Sequence, residues 1–235
     1  MKIHCKTTLY PPPFVGTEVM IRPTSEQLTW SFFTMSLKDG VSSVDIDCGD
    51  GTSVTLNARE KFIHTYPSPG IYRVRIADGI KVFAPCSKPS AEYQEMYAPL
   101  IESVRINTSS VVSMIAGNFR NCRNMTTLDL RGSSLAAISA EAFRDCHALT
   151  SLDGLPPTVT KIYDSAFQSC KSVTGRVDFP NVTEITAKAV ETAPFLDCPG
   201  ITELHFPATS AETITAHPLY SISFGAENAA VYCDL

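Results

Sequence analysis

Phe119-Arg-Asn-Cys122-Arg-Asn-Met125-Thr-Thr-Leu128 is the first of four copies of one phrase. It returns as Phe143-Arg-Asp-Cys146-His-Ala-Leu149-Thr-Ser-Leu152, as Phe167-Gln-Ser-Cys170-Lys-Ser-Val173-Thr, and as Phe195-Leu-Asp-Cys198-Pro-Gly-Ile201-Thr-Glu-Leu204. The third copy is looser, with Gly175 inserted before Val177, and the fourth follows a four-residue expansion around Ala187 to Pro194. The Cys-to-Cys spacings are 24, 24 and 28. A unit of that length has room for one strand and one turn or short helix, and it cannot bury its apolar side alone. Stacking the copies into a solenoid removes the problem. Like positions should then touch along one axis, with Phe and Cys on the helical or turn side and the Thr segment as strand.

Working outward, Ile101-Glu-Ser-Val104-Arg-Ile106 has the apolar spacing of the later strands and reads as a capping half-repeat after a short helix at 92–100. Beyond the last copy, Ile222 and Phe224, then Val231 and Tyr232, keep strand spacing and suit a closing cap. Upstream, Ala84 to Ala91 is rich in Pro and Ser and marks a domain boundary. Before it lie short β-prone runs with turn chemistry between them: Glu18 to Ile21, Leu28 to Leu37, Val44 to Asp47, Val54 to Leu56, Phe62 to Tyr66 and Ile71 to Ile76. That spacing argues for a β-sandwich. Residues 1–10 read as a first strand, and Pro11-Pro12-Pro13 as a stiff turn or a polyproline ligand.

Two resemblances rest on these residues. Asp47-Cys48-Gly49-Asp50-Gly51-Thr52, then His64-Thr65-Tyr66, then Gly70-Ile-Tyr72-Arg-Val74 resemble the signature of the PKD domain, with Ile46 and Cys48 where that family often has Trp and Phe. The resemblance implies an immunoglobulin-like sandwich serving as a spacer or binding module, and no catalysis. Ile138-Ser-Ala-Glu-Ala142-Phe143 and Ile162-Tyr-Asp-Ser-Ala166-Phe167, with the Cys that follows each, resemble the BspA-like (Treponema-type) leucine-rich repeat. Such proteins are typical of bacterial or protist surfaces, where they look like adhesion and matrix-binding scaffolds. The predicted architecture is mainly β with short helices. It comprises an N-terminal immunoglobulin-like (PKD-like) β-sandwich at 1–84, a linker at 85–91, and a leucine-rich-repeat α/β solenoid with terminal caps at 92–235.

Composition narrows the function classes. With 44% hydrophobic and 18% charged residues the chain is globular. Residues 1–88 hold ten Lys/Arg and eight Asp/Glu, a balance of +2, and residues 89–235 hold nine and sixteen, a balance of −7. A nucleic-acid binder shows a basic footprint, and the repeat half shows the reverse. No run is apolar enough to span a bilayer, and no apolar h-region follows Met1, so the leader was removed or the protein is made without one. Eight Cys invite a disulfide framework, yet four sit at one repeat position, where buried free thiols act as small apolar groups. No CxxC occurs and the five His are scattered, so neither metal nor cofactor is expected.

Candidate binding residues follow from strand alternation. One outward row holds Asp129, Asp153 and Asp178, with Arg105 before them and His205 after. The adjacent row holds Ser103, Thr127, Ser151, Arg176 and Glu203. Stacked carboxylates either stay solvated or await a cation or a basic partner. Asp47, Asp50 and His64 could form an acid/base or metal cluster, or Asp50 could bond its own turn while His64 packs beside a neighbouring strand. Asn107-Thr-Ser109, Asn124-Met-Thr126 and Asn181-Val-Thr183 fit the glycosylation acceptor pattern. No catalytic motif is present, and thiols on an apolar column have raised pKa values. The expected function is non-enzymatic adhesion on a cell surface or outside the cell. The solenoid would read a host protein, matrix or glycan, with the sandwich as spacer or anchor. The rival is a structural or decoration component of a phage virion or other assembly, cytoplasmic before assembly.

Overall fold

A computed structural model describes residues 14–85, 93–215, 217 and 224–234. The strand expected at 1–10, the triple proline, most of the linker and Ile222 fall outside those residues. What is described is mainly β with a few short helices.

In the first part, β1 (Gly16–Ile21), β2 (Thr29–Leu37), β3 (Ser43–Asp47), β4 (Ser53–Asn57), β5 (Lys61–Thr65), β6 (Tyr72–Ala77) and β7 (Ile80–Ala84) make two antiparallel sheets. One runs β4-β3-β6-β1 and the other β5-β2-β7. Alternation decides which faces are inward: Val44 and Ile46 are buried while Asp45 and Asp47 are exposed, and Val74 and Ile76 are buried while Arg73 is exposed. The buried faces of both sheets belong to one contiguous core.

The second part adds β8 (Ile101–Asn107), β9 (Thr127–Asp129), β10 (Ala137–Ile138), β11 (Lys161–Ile162), β12 (Gly175–Asp178), β13 (Glu184–Ile185), β14 (Ile201–Pro207) and β15 (Ala230–Asp234). Short helical turns accompany them at Tyr93–Tyr97 and Ala98–Leu100, where the sequence suggested a helix, and at Val190–Thr192 and Ala208–Ser210, with one short α-helix, α1 (Ala211–Thr215). These strands wind a β-solenoid of about five turns. One side carries β8-β9 and β12-β14-β15 in parallel register, and a second side carries β10-β11-β13. The third side is made of the Phe–Cys segments. Its rings form a file: Phe119 to Phe143, Phe143 to Phe167 and Phe167 to Phe195 lie 5.3, 5.5 and 5.5 Å apart, tilted by only 5–6°. The thiols form a second file. Cys146, Cys170 and Cys198 each donate to the carbonyl of the Phe one coil earlier, at 3.2, 3.3 and 3.1 Å.

The expected α/β solenoid needs one correction here. The Phe–Cys segments are turns, not helices. The residue before each Cys has a positive φ: 67° at Asn121, 63° at Asp145, 60° at Ser169 and 59° at Asp197. A left-handed residue stops a right-handed helix, and Asn and Asp tolerate that conformation best. The amides so released bond the next coil, as Phe143 N does to the Ala166 carbonyl (2.8 Å) and Asp145 N to that of Gln168 (2.9 Å). The glycosylation-like asparagines also serve the stack or the seam. Asn124 donates to the Pro99 carbonyl, Asn181 to that of Pro157 and Asn107 to that of Phe14.

The two parts share a sheet. β8, read from the sequence as the cap of the solenoid, pairs with β9 in parallel on one side and with β1 antiparallel on the other. The result is one six-stranded sheet, β4-β3-β6-β1-β8-β9. Side chains fasten the same seam: Arg22 pairs with Glu102, and Thr108 Oγ1 donates to Asp78 at 2.5 Å. The aromatic core also crosses it, since Phe83 of β7 lies 6.3 Å from Phe119, the first ring of the file.

Candidate functional site: a charged strand face

Because the sheet is continuous, so is its outward face. Across five strands the registered partners run Asp47, Arg75, Glu18, Arg105 and Asp129. Acid and base alternate along that row. Arg75 Nε donates to Glu18 at 2.9 Å, and Arg105 Nε lies 3.8 Å from Asp129. A parallel row runs Arg73, Met20, Ser103 and Thr127. Opposite charges across strands each stabilise by a few tenths of a kcal/mol up to about 1, so the row is inexpensive to hold flat.

The sequence alignment of the solenoid strands is reproduced at most positions. Arg105 faces Asp129, Asp178 faces His205, Thr127 faces Ser103, and Arg176 faces Glu203. The row is nevertheless no stack of bare acids. Arg131 grips Asp129 through two nitrogens (2.8 and 3.1 Å), and Arg176 binds Asp178 at 2.6 Å. These hydrogen bonds hold both carboxyls below the usual carboxylate range. Asp153 and Ser151 lie outside any strand, because the ladder is interrupted between β9 and β12. His205 is registered outward but is only 7% exposed: Tyr232 stacks on it at 4.5 Å, and Glu203 meets its Nε2 at 2.7 Å. It is covered by Tyr232, which the sequence reading did not place in the row.

Beside the ladder break lies a cleft of about 450 Å³, inside the range of small-ligand sites. Its apolar lining includes Leu155, Pro156, Pro157, Val159, Pro180 and Val182, and Arg131, Asp153 and Asp178 stand at its rim. Sequence reasoning missed it, although a signal was present: Pro156 and Pro180 are 24 positions apart, the repeat period. The backbone at Gly154 runs so close to the preceding coil that a Cβ there would sit 1.7 Å from the Leu128 carbonyl oxygen. Only glycine fits.

In the first part, Asp50 accepts from Thr52 N (3.0 Å) and Thr52 Oγ1 (2.6 Å), and its other oxygen meets His64 Nε2 at 2.6 Å. Burial pushes this carboxyl up, but the bonds from Thr52 and His64 outweigh it and hold the pKa at about 2. Asp47 caps its own turn at Gly49 N (2.9 Å). Gly49 (φ +82°) has no room for a side chain against Arg73, and Tyr66 donates to the Cys48 carbonyl at 3.2 Å. Tyr72 packs on Tyr66 at 4.3 Å. Gly51 has a positive φ, and a Cβ at Gly70 would meet the Tyr72 ring at 3.5 Å, so this constellation ties a turn to two strands. The repeat thiols are equally occupied. Burial drives Cys170 well above an ordinary thiol and Cys198 to about 12, which leaves no thiolate for nucleophilic work.

Among the described residues, no cluster of His, Cys, Asp and Glu could hold a metal, and no helix is long and apolar enough to cross a membrane. A repeating coil with registered Phe and Cys files and an open strand face defines a leucine-rich-repeat solenoid. The family model for the BspA type leucine rich repeat region matches residues 94–223 in six copies, more than half of the chain, and the protein belongs to that family. No curated protein and no solved structure gave a match.

Proposed function

We propose that this chain is a non-enzymatic, adhesion-type binding protein at a cell surface, and that its reading surface is the strand face of both parts together. The family's repeats are consistent with protein binding. The observation that carries the finer reading is the registered row Asp47, Arg75, Glu18, Arg105 and Asp129, which continues outward-facing charge from β3 across the seam to the solenoid. A face of that kind suits a protein partner with its own alternating charges, because complementary potentials set register and exclude wrong partners. Under this reading the first part is a participant in recognition, not a spacer.

The PKD-like, immunoglobulin-like identity of the first part belongs to the same proposal. Its support is the way Asp50, His64, Tyr66 and Tyr72, the residues of the resemblance, converge on one turn.

The experiment is capture of candidate partners, using a panel of host matrix proteins and a glycan array, by the full chain and by two charge-reversed variants. Arg75→Glu with Arg105→Glu should abolish capture while leaving the circular dichroism spectrum unchanged, and so should Asp129→Lys with Asp178→Lys. Wild-type capture by Arg75→Glu alone, with capture lost in Asp129→Lys with Asp178→Lys, would restore the spacer reading. Capture by both variants at the wild-type level would end the proposal.

A further inference from the structure

We infer that the cleft beside the ladder break is a docking site for a linear peptide segment of a basic partner, taking one apolar side chain next to a Lys or Arg. This rests on the binding function proposed above and names the chemistry of one part of its surface.

Three observations converge. The first is the lining. Half-buried Leu155 and exposed Pro157 and Pro180 supply the accessible apolar surface over a buried floor of Val159 and Val182, and the prolines, Pro156 included, bring no N–H groups and little freedom to lose. The carbonyl of Pro157 is already occupied by Asn181 Nδ2 at 2.7 Å. Such a wall offers a ligand few backbone hydrogen bonds and much area for an aliphatic side chain. It also argues against a glycan, because the one aromatic ring at the cleft, Phe179, is itself only 3% exposed and presents little face to a sugar.

The second observation is charge. Of the three charged groups at the rim, Arg131 is held by Asp129 and Asp178 by Arg176. The carboxylate of Asp153 has no hydrogen bond or ion pair among the described residues, and only the longer-range attraction of Arg131 reaches it. The uncompensated charge at the cleft is therefore negative. The balance of −7 over residues 89–235 adds a long-range attraction of the same sign.

The third is rigidity. Asp153 is held by its own amide, which donates to Ser151 Oγ at 3.0 Å, and the neighbouring Gly154 carbonyl accepts from Leu130 N at 2.6 Å. The carboxylate is presented by a fixed turn, not by a mobile strand end. A preformed apolar trough with a single anion carried on a fixed backbone at its lip selects an apolar–cationic pair of adjacent residues.

The test is a methyl-labelled NMR titration of the full chain with three end-blocked hexapeptides: Gly-Ser-Leu-Arg-Ser-Gly, the same peptide with Glu for Arg, and the same with Ser for Leu. The Leu-Arg peptide should move the methyl signals of Leu155, Val159 and Val182. Its affinity should fall by about threefold when the peptide Arg becomes Glu, and by a similar factor in Asp153→Asn, as expected for one exposed charge pair. The Ser-Arg peptide should leave those methyls still. Unmoved methyls with the Leu-Arg peptide, or equal binding of the Leu-Glu peptide, would overturn the inference, as would equal binding by Asp153→Asn. If the cleft fails while charge reversal at Arg75 and Arg105 still abolishes partner capture, only the cleft is lost and the wider surface stands.

Discussion

Glu18 of β1 stands directly opposite Arg105 of β8, one before and one after the segment that reads in the sequence as a linker. On its other flank Glu18 accepts from Arg75 Nε, so a single carboxylate sits between two cations from different parts of the chain. Glu18→Lys would place three like charges in a row. We expect it to lower unfolding stability by about 1 kcal/mol, the upper end for such cross-strand pairs. Adding Arg75→Glu should recover most of the loss. Urea midpoints measure both, and an unshifted midpoint for Glu18→Lys would mean that the row carries no load.

Phe143 is the second ring of the file, with a neighbour above and below at 5.3 and 5.5 Å. Phe143→Ala leaves a cavity that two flanking coils cannot fill, at a cost of about 3–5 kcal/mol. Phe143→Leu keeps most of the volume and should cost about 1.5 kcal/mol or less. Chemical denaturation of the two variants should separate them clearly.

The thiol file should be chemically silent. Burial raises the Cys170 and Cys198 pKa values, and each of these thiols donates to a carbonyl of the preceding coil. With Cys5 and Cys86 replaced by Ser, a thiol reagent at pH 8 should label Cys233, which is partly exposed, well before Cys122, Cys146, Cys170 and Cys198. Those four, and Cys48 buried in the first part, should react only as the chain unfolds. Prompt labelling of the four repeat thiols together with Cys233 would show that the coils are not packed as described.

Asp50 sets part of the acid limb of stability. Its folded carboxyl titrates at about 2, below the usual 3.8, because Thr52 and His64 bond the charged form. The contribution is therefore complete above the usual value and is lost as the pH falls from there through about 2. Asp50→Asn removes the charged acceptor and should cost about 1–2 kcal/mol at neutral pH. Its stability should then fall less steeply than wild type below about pH 4, where ordinary aspartates begin to protonate. Parallel slopes for the two proteins would assign the acid limb to other groups.

Much of the solenoid was legible because repetition reports contact: like residues at a fixed period must pack on one another, and the Phe and Cys files do. The alternation of Leu128, Leu152, Val177 and Leu204 with polar neighbours likewise set the faces in advance, since all four are buried. Whether the Phe–Cys side is helix or turn was left open by the sequence. Nothing in one copy of Asn121 or Asp145 distinguishes a helix N-cap from a left-handed residue until its amide is seen bonding the next coil. The pairing of β1 with β8 was invisible for a different reason. Both strands have an ordinary inward–outward alternation, and pattern states which face is buried, not which strand lies alongside. The bare acid row failed for want of reach, because Arg131 and Arg176 lie two residues from the carboxylates they neutralise and were assigned to other rows or to none.

The shared charged face requires β1 and β8 to be neighbours in one sheet. The direct measurement is a set of interstrand nuclear Overhauser contacts in the labelled full chain, with the β1–β6 contacts between Val19 and Val74 as an internal control. Contacts between Val19 and Val104 and between Thr17 and Ile106 are predicted alongside that control. A spectrum with the control contacts present and the β1–β8 contacts missing would separate the two parts and break the shared face in two.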